Sequence, residues 1–240
     1  MGLKIPYNYI TYNGKSSADY GVWVSGGGTF NAPTRDVQTV SVPGRNGDLT
    51  FDNGRFTNIP VTYPAFISNR FQPRIDDFRA WLCSHVGYKR LEDTYHPDEF
   101  RMGVYKSGLS VSPTARNLAG SFALTFDCKP QRYLKSGEIP ITFFASGVVW
   151  NPTNYAALPL IRCNGTGGTV TVNGVSVAVT GCSNYVDIDC DMMEAYEGNV
   201  SRNGTTTLQN GAFPKLSPGD NAVSFTGFSS VVITPRFFTI

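Results

Sequence analysis

Residue types able to run chemistry are few in this 240-residue chain. It holds two histidines, His85 and His96, so any Ser/His or Cys/His nucleophilic site must use one of them. There is no GxSxG nucleophile elbow, no HExxH metal helix, no GxxxxGK[ST] phosphate loop and no GxGxxG dinucleotide turn. Cys83 and His85 supply two ligands where structural zinc takes four, and His85 reads equally as a solvated cap after a helix. Asp187, Asp189 and Asp191 have the spacing that opens a calcium loop. The sixth position, where such a loop needs glycine, is Met192, and the twelfth, where it needs glutamate, is Gly198. A strand accounts for the same spacing without a metal, with Val186, Ile188, Cys190 and Met192 on one face and the aspartates on the other. The paired acids Asp76/Asp77, Glu92/Asp93 and Asp98/Glu99 are adjacent in sequence, so they do not converge on one substrate. No catalytic residue, metal ligand or cofactor site is assigned.

Binding chemistry is more visible. Arg70 to Arg74 and Lys129 to Lys135 interleave basic and aromatic residues, as single-stranded nucleic-acid surfaces do; the same pattern arises where arginine stems lie over aromatics in a solvated linker. The indoles of Trp23 and Trp150 suit stacking on a sugar and suit core packing equally. The formal net charge is +2, too small for a global attraction to nucleic acid or to an anionic membrane. Five cysteines without regular spacing read as free buried thiols.

The elements that must carry these residues are mostly strands. Glycine and proline make up one residue in six, aromatics 13% and charged residues 16%, a turn-rich and charge-poor profile that favours many short strands and excludes a coiled coil or helical bundle. No apolar run reaches the length of a membrane span, so no membrane insertion is expected. The first six residues lack an apolar signal-peptide core, which points to synthesis and retention in a cytoplasm. Val170 to Val179 predicts a hairpin turning at Asn173-Gly174, with Val172 facing Val175 and Val170 facing Val177. Further strands are expected at Tyr185–Met192, 141–144, 158–163, 222–226 and 230–234, which together read as an antiparallel sandwich. In the first half, Phe122, Leu124, Phe126 and Cys128 alternate, while 35–42 and 56–67 look extended. One helix is predicted to open at Pro73, with Asp76 and Asp77 near its positive end and Ile75, Phe78, Trp81 and Leu82 as its apolar stripe. Pro43 to Arg55, with three glycines and four charges, reads as a loop or hairpin tip.

Charge divides the chain. Residues 1–138 carry 16 basic and 12 acidic side chains, and residues 139–240 carry 4 and 6. The segment from Lys129 to Pro140 has linker composition, so the expected domains are 1–135 and 136–240.

Several segments, in order, resemble one family. They are Phe30 to Asp48 with Val40-Ser41-Val42-Pro43-Gly44-Arg45-Asn46-Gly47-Asp48, Phe78 to Leu82, Tyr88 to Asp93, Phe126 to Tyr133, Asn151-Pro152 with Leu158 to Ile161, Val186 to Cys190, and Phe213 to Asn221. Together they resemble the distal tail protein (Dit) family of long, non-contractile phage tails, over nearly the whole chain. The resemblance implies a mainly β fold, with an N-terminal tail-tube-like β-sandwich or split barrel flanked by one helix and a C-terminal galectin-like or carbohydrate-module-like antiparallel sandwich. It implies a non-enzymatic virion component without cofactors, assembled in the host bacterial cytoplasm. Six copies would form a ring at the tail tip between the tail tube protein and the tail-tip hub protein, with receptor-binding proteins on the periphery. The genome would pass through without sequence recognition. For such a ring the expected contact residues are Pro43, Gly44, Arg45, Asn46, Gly47, Asp48 and Arg55. A monomeric carbohydrate-binding adhesion module working through residues 136–240, and a different phage tail subunit, are the rival readings.

Overall fold

Apolar alternation and turn chemistry build almost every element of the computed structural model, which describes residues 7–26, 30–68, 70–114 and 118–240. Residues 1–6, on which the signal-peptide reading rests, lie outside the described residues. The chain divides into two compact units, residues 1–132 with Ile240, and residues 133–239. Among the described residues no helix is long and apolar enough to cross a membrane.

The first unit contains β1 (Ile10–Tyr12), β2 (Lys15–Ser16), β3 (Val22–Val24), β4 (Arg35–Val40), β5 (Leu49–Phe56), β6 (Ile59–Ile67), α1 (Phe71–Cys83), β7 (Lys89–Asp93), β8 (Glu99–Val104), β9 (Val111–Thr114) and all but the last two residues of β10 (Ala119–Leu134). Its main antiparallel sheet runs β2-β1-β7-β8-β10-β6-β3, with β9 also paired to β10. The central ladder sets Phe122 opposite Ala65, Leu124 opposite Tyr63 and Phe126 opposite Val61. All six side chains are buried against Phe71, Ile75, Phe78, Trp81 and Leu82 of α1, so period-2 and period-3.6 faces meet in one core.

The helix begins two residues before Pro73, because a proline is tolerated throughout a first turn whose N–H groups have no intrahelical partner. Asp76 and Asp77 therefore lie beyond the first turn, and Asp76 pairs with Arg79 at 2.9 Å rather than with the helix dipole. The expected linker also differs. Lys129 to Leu134 continues β10, and a 3₁₀ turn, Lys135–Glu138, follows it. Pro130 is accommodated because it lies past Cys128, the last β10 residue paired with β6, so its missing N–H removes no bond on that side.

The second unit is a sandwich of two antiparallel sheets. Its strands are β11 (Ile141–Phe143), β12 (Gly147–Asn151), β13 (Leu160–Asn164), β14 (Gly167–Val172), β15 (Val175–Thr180), β16 (Tyr185–Asp189), β17 (Glu194–Glu197), β18 (Val200–Ser201), β19 (Thr206–Leu208), β20 (Gly219–Thr226), β21 (Ser230–Thr234) and β22 (Phe238–Thr239). One sheet runs β11-β21-β13-β16-β17-β18, the other β12-β20-β14-β15-β19. Their inner faces bury Ile161, Cys163, Val186, Ile188, Val231 and Ile233 against Val170, Val172, Val177, Val179 and Val223. β16 stops at Asp189, so Met192 falls in the following turn and is exposed rather than continuing the apolar face.

The β14–β15 hairpin has the predicted register, Val172 opposite Val175 and Val170 opposite Val177. Asn173 and Gly174 both have positive φ, 50° and 80°, the pair of angles a two-residue type I′ turn demands. Asn173 also ties the turn to β20, donating through Nδ2 to Asn221 Oδ1 and accepting at Oδ1 from the Ala222 N–H. Asn173→Ala loses both bonds and the residue type that tolerates left-handed backbone. We expect it to lower stability by about 1–2 kcal/mol in a urea titration.

All five cysteines are free thiols; four are buried and Cys83 is exposed, so the uniformly buried expectation fails at that position. Burial pushes Cys128 and Cys190 up to about 12. Neither is a thiolate nucleophile at neutral pH.

Candidate assembly surface

Strands β4 and β5 hydrogen-bond to each other and to no other strand among the described residues. They form a two-stranded arm in the first unit, closed by a tip at residues 41–48. The polypeptide folds back there because Gly44 and Gly47 take φ of 79° each, which only glycine adopts at low cost, and the Arg45 N–H donates to the Val42 carbonyl at 3.1 Å. Pro43, Gly44, Arg45, Asn46, Gly47 and Asp48 are all exposed at this tip. The structure thus brings six of the seven expected contact residues together. Arg55 is the exception, since Leu49 to Arg55 is strand rather than loop, which sets Arg55 near the arm's base.

A bulge shapes that base. The register slips between Arg35 and Val37, leaving Asn53, Gly54 and Arg55 opposite Asp36. Gly54, at φ of 72°, permits the kink. Two carboxylates clamp it. Asp36 accepts from Asn53 Nδ2 at 2.9 Å and from Arg55 Nε at 2.6 Å. Asp52 accepts from Arg35 Nε at 2.9 Å and from the Gly54 N–H at 2.8 Å. Those bonds, Asn53's first for Asp36 and Arg35's first for Asp52, hold both acids below the usual carboxylate range. The Arg35 guanidinium also lies over the Phe56 ring at 5.0 Å. The charges of the base are consumed internally, whereas Arg45 and Asp48 at the tip have no ion-pair partner among the described residues.

Between base and tip one face of the arm is mostly apolar, three of its four residues being aliphatic or aromatic. Val40 stands opposite Leu49 and Gln38 opposite Phe51, so these four share a side. Phe51 is 55% exposed and Val40 49%. An exposed strand pair with unpaired edges and an apolar face is the chemistry of a protein contact. The sequence reading missed Val40, Leu49 and Phe51 as a set, because the bulge at Gly54 breaks the alternation that would have marked a strand.

The other singled-out residues have different surroundings. His85 is not a solvated cap: α1 ends at Cys83, Ser84 closes it by donating from Oγ to the Trp81 carbonyl, and the His85 ring packs 5.4 Å from Tyr12 and 6.1 Å from Trp81. His96 Nδ1 lies 3.1 Å from Asp93, which also accepts from the Tyr63 hydroxyl at 2.8 Å. Trp23 packs beside Tyr7 at 5.4 Å, while Trp150 stands in solvent. Asp187 and Asp189 are buried and carry arginines in place of a cation. Arg162 reaches both Asp187 oxygens at 2.7 Å, and Arg236 both Asp189 oxygens at 2.7 and 2.8 Å.

No family model and no curated protein matches the chain. Solved structures do. The Dit protein of phage SPP1, presented as a paradigm of the hub adsorption apparatus in phages infecting Gram-positive bacteria, superposes with a TM-score of 0.77 at 16% identity, covering 98% of this chain and 100% of its own. A chain of the phage P2 baseplate in its activated conformation with calcium gives 0.53 at 9% identity, over 95% and 97%. The strontium form of the p2 baseplate gives 0.51 at 10% identity, over 95% and 96%. Both units are included in these superpositions, and the chain has the fold of a phage distal tail protein.

Proposed function

We propose that this chain is a structural component of a phage tail, six copies of which close a ring at the distal end of the tail tube and join it to the tail-tip hub. The observation that carries this reading is the end-to-end likeness to SPP1 Dit, in which both units take part. Its use in adsorption is consistent with the apparatus in which that neighbour works. The tail tube protein and hub protein are the partners on the two faces of the ring. Receptor-binding proteins are peripheral partners, and the genome passes through without base readout. Assembly takes place in the host bacterial cytoplasm, and the virion tail tip is the final location.

The β4–β5 arm is the self-contact. Its apolar face of Val40, Leu49 and Phe51 and its unpaired strand edges find a counterpart in a neighbouring copy, since a closed ring is built from one repeated heterologous contact. Pro43, Gly44, Arg45, Asn46, Gly47 and Asp48 at the tip enter that contact. Arg45→Glu reverses the tip's positive charge while leaving the clamped base untouched. We expect it to weaken assembly about tenfold in a sedimentation titration, with melting temperature unchanged; an unaltered ring would remove the tip from the contact.

A second reading has one observation in its favour. The exposed indole of Trp150 in the sandwich of the second unit would serve a monomeric carbohydrate-binding module. A glycan array on the full chain separates the two: saturable glycan binding by a strict monomer supports the module.

A further inference from the structure

β12 is an edge strand. It pairs with β20 on one side, and it ends its sheet on the other. Natural edges are blunted by lysine, proline, bulges or brevity. The remaining edges of the sandwich follow that rule among the described residues: β18 has two residues, β19 three, and β11 three directly after Pro140. β12 runs five residues, Gly147-Val148-Val149-Trp150-Asn151, without a charge, a proline or a bulge. Val148 and Trp150 project from its outer face, 57% and 63% exposed.

The row behind the edge is chemically specific. Trp150 stands directly across from Asp220, and Val148 from Ala222. Asp220 is exposed and has no hydrogen-bond or ion-pair partner among the described residues. A carboxylate beside an open indole face is a receptor for a cationic side chain, which gains a cation–π contact and an ion pair at once.

We propose that β12 is a docking edge for an extended segment of a different protein chain. That segment adds an antiparallel strand carrying a basic residue opposite Trp150 and an aliphatic residue opposite Val148. In antiparallel register the basic residue precedes the aliphatic one by two positions, so the recognised pattern is basic-x-aliphatic. Charge complementarity excludes a second copy pairing through its own β12, because that strand has no cation to offer. Three of the four basic residues after position 138, Arg162, Arg202 and Arg236, are held in ion pairs. The inference is independent of ring formation.

The probe is the heptapeptide Ser-Thr-Arg-Thr-Val-Thr-Ser, titrated into the full chain and followed by intrinsic tryptophan fluorescence and calorimetry. We expect saturable one-to-one binding, weakened about tenfold by Trp150→Ala, by Asp220→Asn, or by glutamate in place of the peptide's arginine. N-methylating one alternate set of peptide amides should abolish binding and methylating the other set should spare it, the signature of strand addition. Val148→Lys changes an exposed side chain, keeps the melting temperature, and should block the edge. Absence of peptide binding overturns the proposal. So does binding indifferent to N-methylation, or a concentration-dependent dimer of the free chain that Val148→Lys dissolves.

Discussion

Arg236→Ala should lower the stability of the second unit by about 3 kcal/mol at pH 7, read as a shift of the urea midpoint. Asp189 is 3% exposed, and its carboxylate is satisfied by both Arg236 Nη groups and by the Asp191 and Met192 N–H groups. Removing the guanidinium strands a buried charge on two backbone donors. Burial acts to raise the Asp189 pKa, but the Arg236 bonds and the backbone N–H groups together outweigh it and hold the group below its ordinary value. A carboxylate whose folded pKa is depressed contributes stability above its unfolded pKa, about 3.9, and loses it as pH falls through the folded value. The difference between wild type and Arg236→Ala should therefore be full at pH 7 and be lost only in acid, as pH falls below the unfolded value and through the depressed folded one. Arg236 also sits at φ of 57°, in the left-handed region, with its N–H bonded to the Gly137 carbonyl at 2.8 Å. Alanine keeps that backbone cost and glycine relieves it, so Arg236→Gly should be milder than Arg236→Ala by about 1 kcal/mol. A loss independent of pH would show that the ion pair is not what holds this corner, and equal losses in the two variants would show that the left-handed backbone at Arg236 carries no cost there.

The second large effect concerns assembly. Replacing Val40 and Phe51 together by aspartate puts two charges on the arm's apolar face, where any partner must desolvate them. The proposed ring should fall to monomers over the micromolar range, a change of at least about a thousandfold in the association constant. Both side chains lie outside the buried core of the first unit, so melting temperature and circular dichroism should be those of the wild type. Size-exclusion chromatography with light scattering reads the outcome. An intact ring in the double variant would move the self-contact off the arm.

How much of this was legible in the sequence depended on whether the signal was local. The Val170–Val179 hairpin, the β10 alternation and the stripe of α1 could be read directly, because each rests on neighbours within a few positions. The helix start was displaced by Pro73, which marks a first turn without saying which of its residues it occupies. The run from Leu49 to Arg55 passed for a loop because the bulge at Gly54 and the clamped charges erase period 2. Lys129 to Leu134 looked like a linker because composition cannot reveal that Pro130 lies past the β6 pairing. Asp187 and Asp189 alternate as outward polar residues do, yet both are buried. Their partners lie 25 and 47 positions away, and nothing near either acid announces them. The tip was legible in its glycines and charges, whereas its proposed part in a self-contact came only through the family resemblance. The apolar face behind it and the β12 edge needed the strand registers.

The most direct test of the central claim is the mass and shape of the purified full chain, by light scattering and negative-stain imaging. Six copies of a 26.2 kDa chain give a particle of about 157 kDa, with a central hole, and that is the expected result, with or without the tail-tube and hub partners added. A chain that stays at 26.2 kDa alone and also with both partners present would contradict the ring.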